Sequence, residues 1–398
     1  MNNETCSFML ALVIIASVIV GSAGKRKLSE AEIQRLLKQR NKFPVKSTKG
    51  SEGRIIDCVH VMDQPSMDHP LLKNQTIQMR PSGLPKFCSK KEDAFGKSEA
   101  MWNQLWRMNG ECPKNTIPIT RTTREDLLRE ASLKKKKLPP LNRSYVVDEN
   151  RDKHEYAIMG TQGELVGGKA RMGVWNPRVE AGANEFSLAQ LWLISDPVVT
   201  TTVEAGWQVY PGLYGDTKTH LFTFWTDDAY GSTGCYNLGC PGFVHTDHRV
   251  TIGGVLPLTS VYDGTQFYLE LAISMDPVSK HWWLYMAGEP LGYWHRDVVT
   301  GLDQGAQYFD LGGEIDNENP NQHTSTEMGS GHFPDEGLGK AASFFDIAVV
   351  DSSDNVRDDL GSFKPTITHG NCYTLYASTF PEGTGFYYGG PGRHDECP

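Results

Sequence analysis

The sequence of 398 residues lacks several patterns that mark common classes of protein. After its first two dozen residues, no stretch is apolar enough to span a bilayer, which argues against a membrane-spanning domain. It has neither a His-Glu-x-x-His motif nor a Gly-x-Ser-x-Gly elbow, and these absences argue against a zinc metallopeptidase and a serine hydrolase. Lys and Arg are scarce after residue 153, so this part is a poor candidate for binding nucleic acid or an anionic membrane.

The charges that are present divide the chain into two parts of opposite sign. Residues 1–153 hold 28 Lys and Arg against 17 Asp and Glu, whereas residues 154–398 hold 11 against 31. A basic segment ahead of an acidic domain predicts a prosegment that covers the domain, and therefore a zymogen. On this interpretation the attraction weakens as the pH falls through roughly 4 to 5, and high salt at neutral pH loosens it in part.

The first residues predict export. An apolar run from Met9 to Val20 is followed by the small residues Gly21-Ser-Ala23, which is typical of a signal peptide over residues 1–23. The alternative, a membrane anchor, is disfavoured because a spanning helix needs about 20 apolar residues. We therefore expect a secreted protein without a membrane partner, delivered to the apoplast, a vacuole or a digestive fluid.

The part before residue 154 is predicted to be a small mixed α+β domain followed by a linker. A capping box at Ser29-Glu-Ala-Glu32 predicts a helix over 29–41, and residues 124–133 also have a helical pattern. An apolar, helix-like patch lies between them at Met101-Trp102 and Leu105-Trp106. We assign 24–133 to an activation prosegment and 134–153, which begins with four lysines, to a cleavable linker.

Cysteines and sequons agree with an oxidising compartment. Cys6 leaves with the signal peptide, and we expect the disulfides Cys58–Cys112, Cys235–Cys240 and Cys372–Cys397, with Cys88 free or intermolecular. Two other pairings of the last four cysteines remain open. No Cys or His pair follows Cys235 and Cys240 at zinc-finger spacing, so no metal is expected there. Asn74 and Asn142 lie in glycosylation triplets.

From His154 onward, short apolar or alternating strands are separated by Gly, Pro, Asn and Asp, with hardly any helical periodicity. Many strands without alternating helices predict an all-β domain, an antiparallel β-sandwich over residues 154–398. Besides the segment around Glu204 described next, the strands that we predict are 187–194, 220–226, 266–274, 281–286 and 344–350.

Two glutamates of this domain stand in unusual strand contexts. Alternation places Glu204, Gly206, Gln208 and Tyr210 on one face of a strand and leaves Ala205, Trp207 and Val209 for the core. Glu314 follows two glycines, Gly312 and Gly313, which allow another backbone or a ligand to approach closely. Both carboxyls therefore fit one concave sheet face, although surface exposure is the usual fate of Glu.

Five motifs resemble those of the neprosin family of plant secreted glutamic peptidases. In chain order they are Glu204-Ala-Gly-Trp-Gln-Val-Tyr-Pro211, Thr233-Gly-Cys-Tyr-Asn-Leu-Gly-Cys240, Gly312-Gly-Glu314, His323-Thr-Ser-Thr-Glu-Met-Gly-Ser-Gly-His-Phe-Pro334 and Phe386-Tyr-Tyr-Gly-Gly-Pro-Gly-Arg393. The front part resembles the activation peptide of the same family at Asp57-Cys-Val59, at Asp68-His-Pro-Leu-Leu72 and between Gly110 and Arg121. Cys88 and His295 look unlike the usual pattern.

The resemblance implies a sandwich of two antiparallel sheets, an inhibitory prosegment removed at acid pH, and a peptidase that cleaves after proline. It implies that Glu204 and Glu314 are the catalytic pair, working without a cofactor. Two close carboxyls share one proton, so one activates water as general base while the other polarises the scissile carbonyl. Gln208 is a candidate donor to the oxyanion, and the candidates for a flat surface under a proline ring are Trp207, Tyr210, Trp225 and Tyr230.

Three other functions remain open. A metallopeptidase drawn from His323, Glu327 and His332 lacks the required motif and a helix to carry it. A glycosidase could use the same two carboxyls, and a carbohydrate-binding or cell-wall-binding sandwich could use exposed aromatic residues without catalysis. The prosegment argues against the last two, since latency matters most for a protease.

Overall fold

The computed structural model describes residues 28–50, 53–85, 99–133, 153–180, 184–196, 200–318, 322–380 and 383–398. The predicted signal peptide, Cys88, Asn142 and all of the predicted linker except Lys153 lie outside these ranges. Within them, no helix is both long and apolar enough to cross a membrane. We call residues 28–133 the N-terminal segment and residues 154–398 the C-terminal domain.

The N-terminal segment packs two helices beside a small sheet. Helix α1 (Glu30–Arg40) begins after Ser29, whose hydroxyl accepts the N–H of Glu32. Helix α2 (Arg124–Ser132) begins with a reciprocal capping box between Thr123 and Asp126. The sheet has the antiparallel order β1-β2-β3, with β1 (Pro44–Lys49), β2 (Ile55–His60) and β3 (Thr116–Thr120).

Both predicted helices are therefore confirmed, and so is the mixed α+β character of this segment. The apolar patch near residue 101 forms two of the segment's short 3-10 helices, which are Val61–Asp63, Pro65–Asp68, Glu99–Trp102 and Leu105–Asn109. All three expected disulfides are present: Cys58–Cys112, Cys235–Cys240 and Cys372–Cys397. Asn74 is exposed, as a glycosylation site requires.

The C-terminal domain is built from antiparallel strands. They are β4 (His154–Gly173), β5 (Ser187–Ile194), β6 (Thr202–Val209), β7 (His220–Thr226), β8 (Cys235–Tyr236), β9 (Phe243–His245), β10 (Tyr268–Met275), β11 (Trp282–Met286), β12 (Glu289–Trp294), β13 (Ala306–Asp316), β14 (Ala342–Asp351), β15 (Val356–Arg357), β16 (Lys364–Ile367), β17 (Thr374–Phe380) and β18 (Gly383–Gly389). Its helices are short: α3 (Pro211–Tyr214), and 3-10 turns at Thr300–Leu302 and Pro334–Glu336. The predicted strands are all found, with ends displaced by at most two residues.

Strand β4 joins the two layers of the sandwich because it is 20 residues long. Its first half pairs with β13 and β16, so the first layer has the order β8-β7-β6-β5-β13-β4-β16. Its second half pairs with β10 and β14, so the second layer has the order β9-β12-β11-β10-β4-β14-β18-β17. The predicted two-sheet antiparallel sandwich is confirmed.

The core between the layers is rich in aromatic side chains. Trp207, Trp282, Trp283 and Trp294 are fully buried there. Side chains of the N-terminal segment enter the same cluster, namely Val61, Met67, Leu72, Ile77, Met101 and Ile117. Removing this much apolar surface from water favours a tightly docked segment.

Two buried glutamine side chains connect the N-terminal segment to the C-terminal domain. The Gln64 amide donates to the carbonyl of His245 at 3.0 Å and accepts its N–H at 2.8 Å, at the edge strand β9. The Gln104 amide makes the same pair of bonds with Thr251, at 3.1 and 2.7 Å. The Gln64 amide thus makes the pair of bonds that a neighbouring strand would make with His245 at the edge of the sheet.

The ion pairs of the N-terminal segment, unlike the two glutamine contacts, do not connect it to the C-terminal domain in the part of the chain that the structure describes. Among the described residues, its Arg and Lys side chains pair with carboxylates of the same segment, as in Arg121–Asp57, Arg54–Asp126 and Arg40–Glu130. Arg249 of the C-terminal domain lies over the ring of Trp102, 4.2 Å from its centroid. The described contacts that cross between the two parts are therefore mainly apolar and neutral hydrogen bonds.

Candidate active site

Glu204 and Glu314 lie on one face of the first layer, on either side of β5. Glu204 of β6 stands opposite Trp192 of β5, and Glu314 of β13 stands opposite Leu188 of β5. Directly opposed residues share a face, and so do alternate residues along a strand, so both carboxyls project to the same side. We call this side of the layer the carboxylate face.

The row between the two glutamates is nearly free of side chains. Gln190 of β5 stands opposite Gly206 on one neighbouring strand and opposite Gly312 on the other. A Cβ at Gly206 would lie 1.9 Å from the carbonyl oxygen of Ala189, and one at Gly312, where φ is +151°, would lie 2.4 Å from that of Ala157. A side chain at either glycine would clash with the neighbouring backbone, so of the three residues in this row only Gln190 carries a side chain.

Glu204 is only 5% exposed and accepts two hydroxyl hydrogen bonds. Thr202 Oγ1 and Tyr230 OH donate to its Oε1 at 2.6 and 2.9 Å. Burial, together with the charge of Glu314, raises the pKa of Glu204 to about 7 in spite of these donors. Glu204 is therefore a neutral acid at mildly acidic pH.

The loop after β7 brings Tyr230 to Glu204. The carboxylate of Asp228 accepts the N–H groups of Gly231, Ser232 and Thr233, which closes a tight turn. Tyr230 itself has a φ of +61°, a left-handed conformation that is uncommon for a bulky residue. Burial raises the pKa of the Tyr230 phenol, and the charge of Glu204 adds to the effect, so Tyr230 stays a donor.

Glu314 is held by a histidine and an amide. His154 Nδ1 is in hydrogen-bond contact with Oε1 of Glu314, and Gln190 Nε2 donates to its Oε2 at 3.1 Å. Glu314 is as inaccessible as Glu204, with 5% of its surface exposed. A protonated imidazole beside a buried carboxyl favours the carboxylate form. The two glutamates therefore stand in different surroundings, Glu204 among hydroxyls and Glu314 beside an imidazole and an amide.

The other predicted candidates fall into two groups. Tyr230 touches Glu204, and Tyr210 packs on the carboxylate face with its ring centroid 5.3 Å from that of Phe186. Gln208 is buried on the same face, but its Nε2 donates to Tyr214 OH at 2.8 Å. Trp207 and Trp225 lie on the opposite face, inside the core, and are not brought together with the glutamates.

Three residues of the site were not predicted: His154, Gln190 and Thr202. Thr202 is two residues before Glu204 and Gln190 two before Trp192, so strand alternation places both on the carboxylate face. No local pattern marks His154, because its contact with Glu314 depends on the register of β4 against β13, where Asp316 stands opposite His154.

Apolar clusters flank the two carboxyls. One contains Tyr156, Ile158, Trp192 and Ile194, with Tyr308 packed against it. The other contains Phe186, Leu188, Tyr210 and Phe222. Leu133, the last described residue of the N-terminal segment, packs on the second cluster. The segment thus reaches the carboxylate face beside Leu188, the residue that stands opposite Glu314.

The three residues considered for a metal centre have separate partners. His323 Nε2 bonds to Glu155 at 2.8 Å, Glu327 accepts the N–H of Arg178 at 2.8 Å, and His332 Nδ1 contacts Glu336 at 2.8 Å. Within the described residues they do not converge on one point. Glu155 lies on the side of β4 away from Glu314, and, although burial opposes it, His323 and His369 lower the pKa of Glu155 to about 2.

The fold and site define a class: a two-layer antiparallel sandwich with a pair of buried glutamates on one layer and a docked N-terminal segment. The Neprosin family matches residues 183–391, and the Neprosin activation peptide matches residues 47–160. The chain belongs to the Neprosin family and carries its activation peptide.

Solved structures with a similar outline are more distant. Two are of scytalido-glutamic peptidase with transition-state analogues, each 12% identical and covering 61% of this chain and 98% of theirs, with TM-scores of 0.30 and 0.33. A third, SCP-B of the eqolisin family of peptidases, is 10% identical, covers 61% of this chain and 98% of its own, and has a TM-score of 0.31.

Proposed function

We propose that this protein is a secreted glutamic endopeptidase, made as a zymogen and activated at acid pH, with Glu204 and Glu314 as its catalytic pair. The observation that carries the proposal is the placement of two buried carboxyls on one face, separated by the Gly206, Gln190 and Gly312 row. Membership of the Neprosin family and the activation peptide support the same conclusion.

The surroundings of the two glutamates support a different role for each. Glu204 has a pKa raised to about 7 by burial, so it is protonated at mildly acidic pH and acts as the acid. Glu314, beside His154, is the carboxylate that acts as the base. The pair then carries one proton between its members, the state in which two close carboxyls are active in catalysis.

Hydrolysis follows from this assignment. Glu314 takes a proton from water as the water oxygen attacks the scissile carbonyl carbon, while the proton of Glu204 passes to the carbonyl oxygen. The tetrahedral intermediate collapses, the C–N bond breaks, and the leaving nitrogen receives the proton that Glu314 had taken. The hydroxyl proton returns to Glu204, so both groups end in their starting states.

Gln190 is the proposed donor to the developing oxyanion, in place of Gln208. Its amide lies in the row between the two glutamates and donates one N–H to Glu314, so its second N–H is the proposed oxyanion donor, whereas the Gln208 amide is directed at Tyr214. Donors of this kind contribute about 10²- to 10³-fold to turnover. For a proline ring next to the cut, the half-buried ring of Tyr308, packed against the buried cluster of Tyr156 and Trp192, is the candidate flat apolar surface.

The N-terminal segment, over predicted residues 24–133, is proposed to inhibit the enzyme by occupying this face. Leu133 packs against the apolar cluster that contains Leu188, the residue opposite Glu314, so on this proposal the segment competes with a peptide for that cluster. Activation then requires a cut in the predicted linker, 134–153, and departure of the segment from residues 154–398.

The test is incubation of the purified proprotein at about pH 3 to 5 with a proline-rich peptide, followed by mass spectrometry of the products. Wild type is expected to lose its N-terminal segment and to cleave after proline. Glu204→Gln and Glu314→Gln are expected to lose roughly 10²- to 10⁴-fold in turnover, as removal of a general acid or base does. Glu396→Gln, at an exposed glutamate, is the matched control.

Two results would redirect the assignment. If wild type stays inactive on peptides after its N-terminal segment has been removed, the peptidase function is wrong and a binding module is favoured. If the protein hydrolyses a polysaccharide and no peptide, the same carboxyls serve a glycosidase.

A further inference from the structure

His154 and Glu314 form a buried contact that the two-carboxyl mechanism does not by itself require. The side chains are each 6% exposed, and Nδ1 of the imidazole faces Oε1 of the carboxyl. The ring lies between aromatic neighbours, 5.6 Å from Phe186 and 6.4 Å from Tyr156 by ring centroids. Its position is therefore fixed by packing as well as by the hydrogen bond.

The charged groups around this contact come from several strands. From β13, Asp316 stands opposite His154 and is buried; from β6, Glu204 interacts electrostatically with Glu314. Lys153, the residue before His154, pairs with Glu318 at 2.7 Å. The carboxyl groups around the contact therefore outnumber the cationic groups, so a charge on the imidazole would be compensated.

We infer that His154 is a positioning residue that keeps Glu314 ionised and aimed at the gap beside Gln190. This inference rests on the proposed function. Gln190 contacts one oxygen of the carboxylate and His154 the other, so the orientation of the carboxylate plane is held from both sides. Histidine partners orient ligating and catalytic groups in the same way in other proteins.

The inference is tested with His154→Gln, which keeps a hydrogen-bond donor and removes the charge. Without the cation, the acid limb of the kcat/KM profile of the matured enzyme is expected to move to higher pH by about 1 unit, because a neighbouring opposite charge shifts a carboxyl by 1 to 3 units. The matched control is His323→Gln, which removes a similar contact from Glu155 on the other side of β4. Its acid limb is expected to stay in place.

An unchanged acid limb in an active His154→Gln enzyme would overturn the inference. Carbon-13 NMR titration of the Glu carboxyls in the wild-type proprotein, assigned with Glu314→Gln, gives a second measurement that needs no activity and no folded His154 variant. Glu314 is expected to remain ionised at a pH where Glu204 is protonated, and the reverse order would also overturn it. Failure of peptide hydrolysis by wild type, in contrast, contradicts only the proposed function.

A second observation concerns histidines where the N-terminal segment docks. His281 stacks on Tyr293 with ring centroids 4.7 Å apart and on His295 with centroids 4.2 Å apart. Tyr293 OH accepts the N–H of Gln78, from the N-terminal segment, at 3.2 Å. The pair of histidines thus lies directly behind a contact that holds the segment.

Both imidazoles are set up to be neutral. Nδ1 of His281 accepts the N–H of Arg296 at 3.3 Å, and Nδ1 of His295 accepts that of Asp297 at 3.2 Å. Protonation converts an acceptor into a donor and breaks such a bond. Burial, and then the nearby charge of His295, lowers the pKa of His281 to about 4. Burial also lowers the pKa of His295.

The groups that face these histidines have both signs. Asp276 and Asp297 attract a proton to His281, whereas Arg296 and His295 oppose it. Around His295, Asp297 attracts a proton, while Arg296 and His69 of the N-terminal segment oppose it. Asp276 also accepts the N–H of Ser82, so the same carboxylate serves the docking contact. Beside His69, Lys42 pairs with Asp68.

We infer that protonation of His281 and His295, and not of surface carboxylates, opens the contact between residues 69–82 and the C-terminal domain as the pH falls. The sign follows from linkage. A histidine that is harder to protonate when docked binds more protons in the open form, so acid favours opening. The window runs from about 6.5, the ordinary pKa, down to about 4, that of docked His281.

The test uses the Glu314→Gln proprotein, which on the proposed mechanism cannot process itself, and follows hydrogen exchange of peptides from residues 61–82 between pH 7 and 4. Opening is expected within the window above. In His281→Gln with His295→Gln, the midpoint is expected to move down by about 1 pH unit or more. His332→Gln, at a histidine on the same domain that pairs with Glu336, is the control and is expected to leave the midpoint in place.

An unchanged midpoint in the double variant would overturn this inference, and so would release at neutral pH by Asp276→Asn with no further effect of acid. Should the double variant fail to fold, histidine NMR of the Glu314→Gln proprotein decides the question. Protonation of either ring without exposure of residues 61–82 would contradict the inference, and protonation together with exposure would support it. Neither measurement depends on peptidase activity.

Discussion

The carboxylate face and the docking surface of the N-terminal segment both bury titratable groups, but groups of opposite kind. Burial raises the pKa of Glu204 to about 7 and lowers the pKa of His281 to about 4, because it penalises the charged form in each case. As the pH falls from 7, the first region gains a neutral acid and the second gains charge. On the proposals above, one fall in pH therefore protonates the proposed acid and loosens the contact of residues 69–82.

The largest effect is expected on the carboxylate face, from Glu204→Gln. The pKa of Glu204 is about 7 in the folded protein against 4.5 in the unfolded chain, so Glu204 does not destabilise the fold below pH 4.5. As the pH rises from 4.5 to 7, the destabilisation grows, because the unfolded chain loses the proton more easily. We expect the free energy of unfolding of the variant at pH 7 to exceed that of wild type by about 3 kcal/mol, or less if water relaxes the site.

Denaturant unfolding at pH 4 and pH 7 measures this difference, with Glu396→Gln as the exposed control. Equal pH dependence in wild type and Glu204→Gln would mean that Glu204 is ionised without cost, and the proposed acid would then be incorrect.

On the docking side, Gln104→Met should produce the next largest effect. It removes both bonds to Thr251 and leaves the N–H of Thr251 unpaired, while its carbonyl keeps the N–H of Gly254, and the loss costs about 1 to 3 kcal/mol. We expect the segment to detach at higher pH than in wild type, as seen by hydrogen exchange. Gln34→Met, at an exposed glutamine of α1 that donates to Glu30, is the control. An unchanged pH of detachment would show that the apolar contacts alone hold the segment.

The pH profile of the matured enzyme reports on the carboxylate face alone, because the N-terminal segment is then absent. Catalysis requires protonated Glu204, so kcat/KM is expected to fall about tenfold per pH unit above pH 7, where Glu204 loses its proton. Thr202→Val removes one donor to the Glu204 carboxylate and is expected to move this alkaline limb upward. A downward shift would contradict the hydrogen-bond direction described above.

The smallest expected effect is that of salt on docking. The charge division of the sequence predicts that salt loosens the segment, whereas the described ion pairs of the segment are internal to it. We now expect less than a twofold change in exchange of residues 61–82 between low and 0.5 M salt at neutral pH, since neutral contacts are not screened. A large increase in exchange would restore the electrostatic interpretation.

The sequence predicts the fold well because its signals are local. Alternation in 187–194 and 220–226, the capping box at Ser29 and the cysteine spacings all report structure within a few residues. The register between distant strands is not local. For this reason the sequence suggests Glu204 and Glu314 but not His154 or Gln190, which depend on how β13 pairs with β4 and β5.

Trp207 and Trp225 are residues that the sequence suggested for the site but that lie in the core. A large aromatic near a glutamate suits substrate binding and core packing equally well in a sequence. Here Trp207 Nε1 donates to the carbonyl of Gly173 at 2.9 Å within the core, and Trp225 faces the same way. The N-terminal strands β1 to β3 were also not predicted individually, since their residues are mixed and short runs carry little periodicity.

The length of β4 has a consequence for maturation. Its backbone is paired from His154 onward, with Asp316 opposite His154 on one side and Ile367 opposite Ala157 on the other. An exopeptidase that shortens a new amino terminus would therefore reach backbone that is hydrogen-bonded into the sheet when it arrives at His154. On the proposed maturation, cuts at different positions upstream of residue 153 would therefore be trimmed to the same paired backbone, so the position of the cut need not be exact.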